Sequence, residues 1–279
     1  MKFDITHPDV CRAVEFALEE DIRTGDITTD STIPAELQAE ARFVARQDLT
    51  LAGVELLQLL FEKPELKHVS GDRLKSGDEI ATVRGPARLL LTRERVSLNF
   101  MQRLSGVATL AAKYVAAVEG TGAKILDTRK TTPGLRVLEK MAAAAGGIEN
   151  HRMGLWDAVL IKNNHITLAG GVKIACERAM KAAAPLGITV QVEVRTRAEI
   201  EAALACGAKL LLLDNMTPAQ AAEEIRFINK RARVEISGGV TLATVRAYAE
   251  AGPDFISSGA ITHSAEAVDL SFRLELIGN

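Results

Sequence analysis

One stretch, residues 124–166, collects most of the side chains able to do chemistry on a charged small molecule. It carries Arg129, Lys130, Arg136, Lys140, His151, Arg152, Lys162 and His165 against the acids Asp127, Glu139, Glu149 and Asp157. Two short apolar runs inside it, 124–126 and 158–161, read as buried strands, and each stops on a charged residue. A charge at the end of a buried strand is costly unless something of opposite sign meets it there. The stretch therefore suits an anion with several charges, since arginine offers carboxylate or phosphate a bidentate fork and lysine a point charge. His151 has two readings, a residue that orients a carboxylate or a satisfied core histidine. His7 and His68 carry no hypothesis.

Further along, other apolar runs end on a different chemistry. Glu193 and Asp214 close two of them, and such a carboxylate pair can hold a hard divalent cation, often through water, or hydrogen-bond ribose hydroxyls. The competing reading is ion pairing with Lys162 or Arg195. Ser237-Gly238-Gly239 and Ser258-Gly259 close the last two runs, where backbone N–H groups can face a phosphate, as late loops of barrels do. Glycine-rich turns also simply end strands, so the adjacency of the two is what gives them weight.

The elements that position these residues fall into two styles. The first hundred residues read as a small α+β unit. A helix starts after His7-Pro8, residues 20–34 read as an ordered loop, and 39–46 alternate like a half-buried strand. Residues 53–62 read as a helix, 66–70 and 79–84 as further strands, and 91–119 as a long helix hinged near Ser105-Gly106. Beyond that, apolar runs at 124–126, 159–161, 189–194, 209–213, 234–236 and 255–256 alternate with helical patterns, which implies parallel strands joined by right-handed crossovers. Neither GxGxxG nor a Walker lysine loop is present, so a barrel is favoured over a nucleotide-binding doubly wound sheet. Six units in the residues that remain make that barrel incomplete, since a full one takes about 250 residues. The expected division is 1–105 and 106–279, with a segment near 265–279 returning to the first domain.

Composition narrows the function classes. The 279 residues are 47% hydrophobic and 25% charged, as in an ordinary globular protein. A formal net charge of -2 argues against a general nucleic-acid or membrane-surface binder, so anion affinity must be local. Three scattered cysteines without a CxxC make neither a disulfide framework nor a structural zinc site. With no leader-like or membrane-spanning run, a soluble cytoplasmic protein is expected.

The motifs DTRKTTPGLR (127–136), NHRMGL (150–155), IKNNHI (161–166), EVRT (193–196), LLLDNM (211–216), EISGGV (235–240) and ISSGAITHS (256–264) follow in one order. Together with GDITT (25–29) and RERVSLNFMQRLSGVAT (93–109), they resemble the quinolinate phosphoribosyltransferase family along essentially the whole chain. The resemblance implies an N-terminal α/β sandwich plus an incomplete C-terminal α/β barrel. It implies a homodimer in which the N-terminal domain of one subunit closes the barrel mouth of the other. The implied reaction joins quinolinate to phosphoribosyl pyrophosphate with Mg2+, giving nicotinate mononucleotide, pyrophosphate and CO2 for NAD biosynthesis. By similarity, Arg129, His151, Arg152 and Lys162 surround the quinolinate carboxylates, with Arg95 from the partner. Lys130 sits between quinolinate and the pyrophosphate. Glu193 and Asp214 hold ribose hydroxyls and metal, directly or through water, with Asn163 nearby, and Ser237, Gly238, Ser258 and Gly259 hold the 5′-phosphate. The alternatives are a paralogue acting on another aromatic acid and a non-catalytic anion-binding barrel. Three positions depart from the family pattern: Ala144 for Arg, Ile148 for Gly, and Asn163 for Asp.

Overall fold

The apolar and alternating runs become twelve strands among the described residues of a computed structural model, which describes residues 1–277. They are β1 (Gln38–Ala45), β2 (Leu49–Thr50), β3 (Glu65–Leu66), β4 (Arg73–Leu74), β5 (Glu79–Pro86), β6 (Lys124–Leu126), β7 (Val159–Ile161), β8 (Val190–Val194), β9 (Leu210–Asp214), β10 (Arg233–Ser237), β11 (Phe255–Ser257) and β12 (Leu270–Leu276). Two compact units contain them. One comprises Met1–Ala112, Thr131–Gly147 and the chain from Ile261 onward; the other comprises Lys113–Lys130 and Ile148–Ala260. The expected fold class, an N-terminal α/β sandwich and an incomplete barrel of parallel strands, is the one observed.

In the first unit an antiparallel sheet runs β12-β1-β5-β3. Along β1, Ala39, Ala41 and Phe43 point inward while Glu40 and Arg42 point out, the period of two expected of a sheet with one buried face. Phe43 lies opposite Phe272 of β12, ring centroids 5.0 Å apart and edge-on, so an aromatic cross-strand pair fixes that register. Three sequence expectations fail here. The strand read over 66–70 is confined to β3, Glu65–Leu66. Residues 20–34 are not all loop: Ile27–Thr32 is a helix, because the Asp26 side chain accepts the Thr29 N–H at 3.0 Å and caps it. The long helix, Ala87–Ala117, is also unbroken at Ser105-Gly106. Glycine stands there for proximity instead of bending, since a methyl at residue 106 would collide with the Glu266 carbonyl oxygen.

The second unit holds a six-stranded parallel sheet in the order β6-β11-β10-β9-β8-β7. Parallel strands covered on both faces must be apolar nearly throughout, and LLLLD of β9 shows this, ending on its one charge. After β7, β8 and β9 the chain turns into a helix with a local start signal. Thr196 and Glu199 form a capping box for Arg197–Ala205, and Thr217 and Gln220 form one for Pro218–Ile228, which has proline in its first turn. A short helix, Asn163–Ala169, follows β7 and was not anticipated; its start is fastened by His165, whose Nδ1 accepts the Lys162 N–H at 2.8 Å.

Replacing an interior helical glycine by alanine ordinarily stabilises by about 1 kcal/mol. Gly106→Ala should do the reverse, lowering stability by about 1–3 kcal/mol, because neighbouring backbone must shift. Urea unfolding checks the sign through the midpoint at unchanged slope.

Candidate active site

Strand order converts a scattered set of residues into a row. Reading across the sheet, β6 leads to Asp127, Arg129 and Lys130, β11 to Ser258-Gly259, β10 to Ser237-Gly238, β9 ends on Asp214, β8 carries Glu193, and β7 is followed by Lys162. Ser237 and Asp214 are direct register partners. The Gly/Ser ends are thus neighbours, flanked on one side by the Lys130 strand and on the other by the two carboxylates. His151 and Arg152 join the row at its β6 edge, because Glu149 makes a parallel bridge to Leu126.

That last placement depends on Asp127. It is fully buried; its carboxylate accepts the His151 N–H at 2.8 Å and the Asn150 side-chain N–H at 2.7 Å. Arg152 follows, with Nη1 donating to the Ala158 carbonyl at 2.9 Å. Burial, and then the neighbouring Arg129 guanidinium, hold Arg152 below the ordinary arginine range. Two guanidiniums near enough to oppose each other's charge suit an anionic ligand. Asp157 gives partial compensation. Burial pushes its carboxyl up, but N–H bonds from Gly154 and Met153 outweigh this and hold it below the usual range.

The chain passes between units at Lys130–Thr131. In the first unit Thr132 is held by Glu139, which is fully buried and accepts from the Thr132 N–H at 3.0 Å and hydroxyl at 2.7 Å. Arg103 pairs with the same carboxylate at 2.8 Å and donates to the Thr262 and Ala265 carbonyls. Neither Arg103 nor Glu139 stood out among the sequence candidates. The signal was a glutamate on the apolar side of Arg136–Ala145.

The carboxylate pair is half-committed. Arg195 Nη2 lies 2.7 Å from Asp214 and 3.4 Å from Glu193, so one of the alternatives read from the sequence is realised. Asn215 Nδ2 also donates to Asp214 at 2.9 Å, and the Asn163 N–H donates to Glu193 at 3.2 Å. Arg195 itself is 45% exposed and able to swing away, while the two acids are 13% and 11% exposed. Gly238, at φ +96°, leaves no room for a side chain against the Asn215 amide oxygen, which keeps that loop close to β9. The Ser258 hydroxyl donates to Val240 O at 2.9 Å and its N–H to Leu126 O at 3.2 Å, so this residue is fastened on both sides at the end of β11. Lys130 and Lys162 are exposed. Ile148 is buried at a position with ordinary backbone geometry, so a side chain fits where the family pattern has glycine. Arg95 lies in the other unit, exposed on the long helix.

Sequence reasoning passed over Glu235. It sits mid-strand in β10, 1% exposed, with Gln191 Nε2 donating at 2.7 Å and His151 Nε2 lying 3.4 Å away. Burial pushes its carboxyl up, but the nearby His151, Ser257 and Gln191 side chains prevail and hold it below the ordinary range. Because the folded value is depressed, the stabilisation from those side chains is present above the ordinary carboxylate range and is lost as pH falls through the folded value. A glutamate between Val234 and Ile236 in a doubly covered strand was the available signal.

Comparison with known proteins gives the same picture along the whole chain. Residues 26–105 match the family model for the quinolinate phosphoribosyl transferase N-terminal domain, and residues 107–273 that for its C-terminal domain. A Bacillus subtilis protein named probable nicotinate-nucleotide pyrophosphorylase (carboxylating) is 41% identical over 263 residues, 92% of this chain and 90% of its own. An Arabidopsis thaliana chloroplastic nicotinate-nucleotide pyrophosphorylase (carboxylating) is 40% identical, over 97% of this chain and 84% of its own. The crystal structure of NadC from Streptococcus pyogenes superposes with a TM-score of 0.93 at 38% identity, covering 99% of this chain and all of that one.

Removing the Asp127 carboxylate leaves two buried donors unmet. Asp127→Ala should cost about 2–4 kcal/mol of stability, read from the denaturant midpoint.

Proposed function

We propose the reaction from one premise: the chain belongs to the quinolinate phosphoribosyl transferase family. It transfers the phosphoribosyl group of phosphoribosyl pyrophosphate to quinolinate with loss of CO2, forming nicotinate mononucleotide and pyrophosphate for NAD biosynthesis. The observation that carries this reading is the order of strand ends: Gly/Ser at β11 and β10, carboxylates at β9 and β8, and cations at β6, β7 and the 149–152 segment. A 5′-phosphate on the Ser237-Gly238 and Ser258-Gly259 loops sets the ribose beside Asp214 and Glu193. The dicarboxylate then falls to Arg129, Arg152 and Lys162, with His151 beside them, and Lys130 lies on the phosphate side.

The chemistry asks for these types in these places. Departure of pyrophosphate leaves positive charge on the ribosyl carbon, which the carboxylates at residues 193 and 214 stabilise while Lys130 meets the leaving group. Holding both reactants in one row supplies orientation. The ring nitrogen attacks, the alkylated, cationic ring stabilises the electron pair left on the ring carbon as CO2 departs, and that carbon then takes a proton from solvent. The arginines hold the departing carboxylate without over-stabilising it, since only binding stronger in the transition state accelerates the step.

The donor set fits Mg2+. Two carboxylates on adjacent strands, with substrate oxygens and water completing the shell, are what this ion takes, and no larger acidic or thiol group exists among the described residues. Glu193 and Asp214 would hold it, and it would supply positive charge to neutralise the pyrophosphate. The reading further includes a homodimer in which Arg95 reaches the partner's site, and a cytoplasmic location. Among the described residues no helix is long and apolar enough to cross a membrane.

Incubation with quinolinate, phosphoribosyl pyrophosphate and Mg2+ should yield nicotinate mononucleotide and CO2 in equal amounts. Binding of quinolinate without turnover would instead support the non-catalytic barrel, and turnover only with another aromatic acid the paralogue. Mixing inactive Arg95→Ala with inactive Lys162→Ala subunits should restore activity, because one site of each hybrid is intact. No recovery after subunit exchange would count against the shared site.

A further inference from the structure

We propose that Glu235 is a positioning residue for the carboxylate-binding end of this site, fixing the His151 ring and, through it, the Arg152 backbone from inside the barrel. The proposal rests on the functional reading above, and deepens it by naming what holds those residues in place.

Strand parity defines the layer. Side chains two apart share a face, so Glu235 lies one layer beneath Ser237 on β10, and Gln191 one layer beneath Glu193 on β8. Gln191 Nε2 donates to Glu235 Oε2 at 2.7 Å, tying the two strands across that layer. The same oxygen faces His151 Nε2 at 3.4 Å. On its other side the ring is also engaged, since the Arg152 N–H donates to His151 Nδ1 at 2.7 Å. A nitrogen that accepts carries no proton, so the contact assigns the hydrogen to Nε2, pointing at Glu235. With the His151 N–H on Asp127, the segment that presents Arg152 is fastened at its main chain and through its imidazole.

A merely structural role accounts poorly for this carboxylate. Buried charges are often replaceable by apolar residues of similar size at no loss of stability. Here the other oxygen, Oε1, is buried without a hydrogen-bond partner in the protein, a costly arrangement. The residue lines a cavity of about 250 Å3 shared with His151, Arg152 and Gln191. The charged groups facing the same space are Arg152, Asp157, Glu149 and Arg233, the last with its guanidinium 5.4 Å from the Phe255 ring. His151 is the one that reaches Glu235.

The test couples Glu235 to His151. Glu235→Leu should raise KM for quinolinate by about tenfold or more, as loss of an orienting partner does, and leave KM for phosphoribosyl pyrophosphate within about twofold. In a His151→Ala background the same substitution should add less than about twofold, because coupled residues are non-additive. Nitrogen-15 NMR of histidine-labelled protein should show His151 as the Nε2–H tautomer in the parent and as a mixture of tautomers in Glu235→Leu. Glu235→Gln, which keeps shape and one acceptor, should recover most of the quinolinate affinity; it carries both readouts if the leucine variant does not fold. Full additivity with His151→Ala, or an unmoved tautomer signal, overturns the proposal. If the parent protein does not turn over quinolinate, the functional reading fails, and the tautomer signal still decides whether Glu235 sets the His151 ring.

Discussion

Neighbouring strands in a sheet lie about 4.8 Å apart, and that spacing governs everything the second unit does. Six strands in the order β6-β11-β10-β9-β8-β7 set six chemically distinct ends side by side. A nucleotide-sized molecule is several strand spacings long, so on the proposed reading phosphate, ribose and ring would each meet a different strand. Chain order alone would separate Lys130 from Ser258 by most of the barrel; hydrogen bonding of β6 to β11 makes them neighbours. The parallel arrangement matters equally, because it brings every C-terminal end to the same side.

Charge is what this row must manage. Arg129 and Arg152 oppose one another, and Glu193 and Asp214 are adjacent like charges. Each pair is held by partners outside the ligand space. Asp127 fastens the His151 main chain and the Asn150 side chain, and Arg195 spans the two acids from the solvent side. The two devices differ in depth, and depth sets how they respond. A fully buried carboxylate with fixed partners does not move without a large cost, whereas an arginine 45% exposed loses little by swinging into water. The cationic half of the site is therefore built rigid, and the acidic half is open to exchange.

How much of this was legible in the sequence follows from where each signal lies. Charges that interrupt apolar runs are visible without coordinates, so Lys162, Glu193 and Asp214 could be named, as could the Gly/Ser ends and the α/β barrel that carries them. What stayed hidden depended on partners distant in sequence. Gly106 reads as a hinge until Glu266, 160 residues later, is found against it. Asp26 reads as part of a polar loop until its bond to Thr29 makes it a cap. His151 could be a ligand or a core histidine from sequence, and its two nitrogens show why the choice was undecidable: the ring is packed in the core and also borders the site.

Glu235 and Gln191 belong to the class hardest to read. Their neighbours Val234, Ile236 and Val192 are buried, so a single polar residue among them looks like ordinary strand alternation. In a strand covered on both faces there is no solvent side for such a residue to occupy. A polar group there must find a partner inside the barrel, and the partner must come from another strand or loop. Gln191 and Glu235 find each other across the layer below the strand ends, and His151 completes the set. On the proposed reading, this layer is where the orientation of the layer above it is decided.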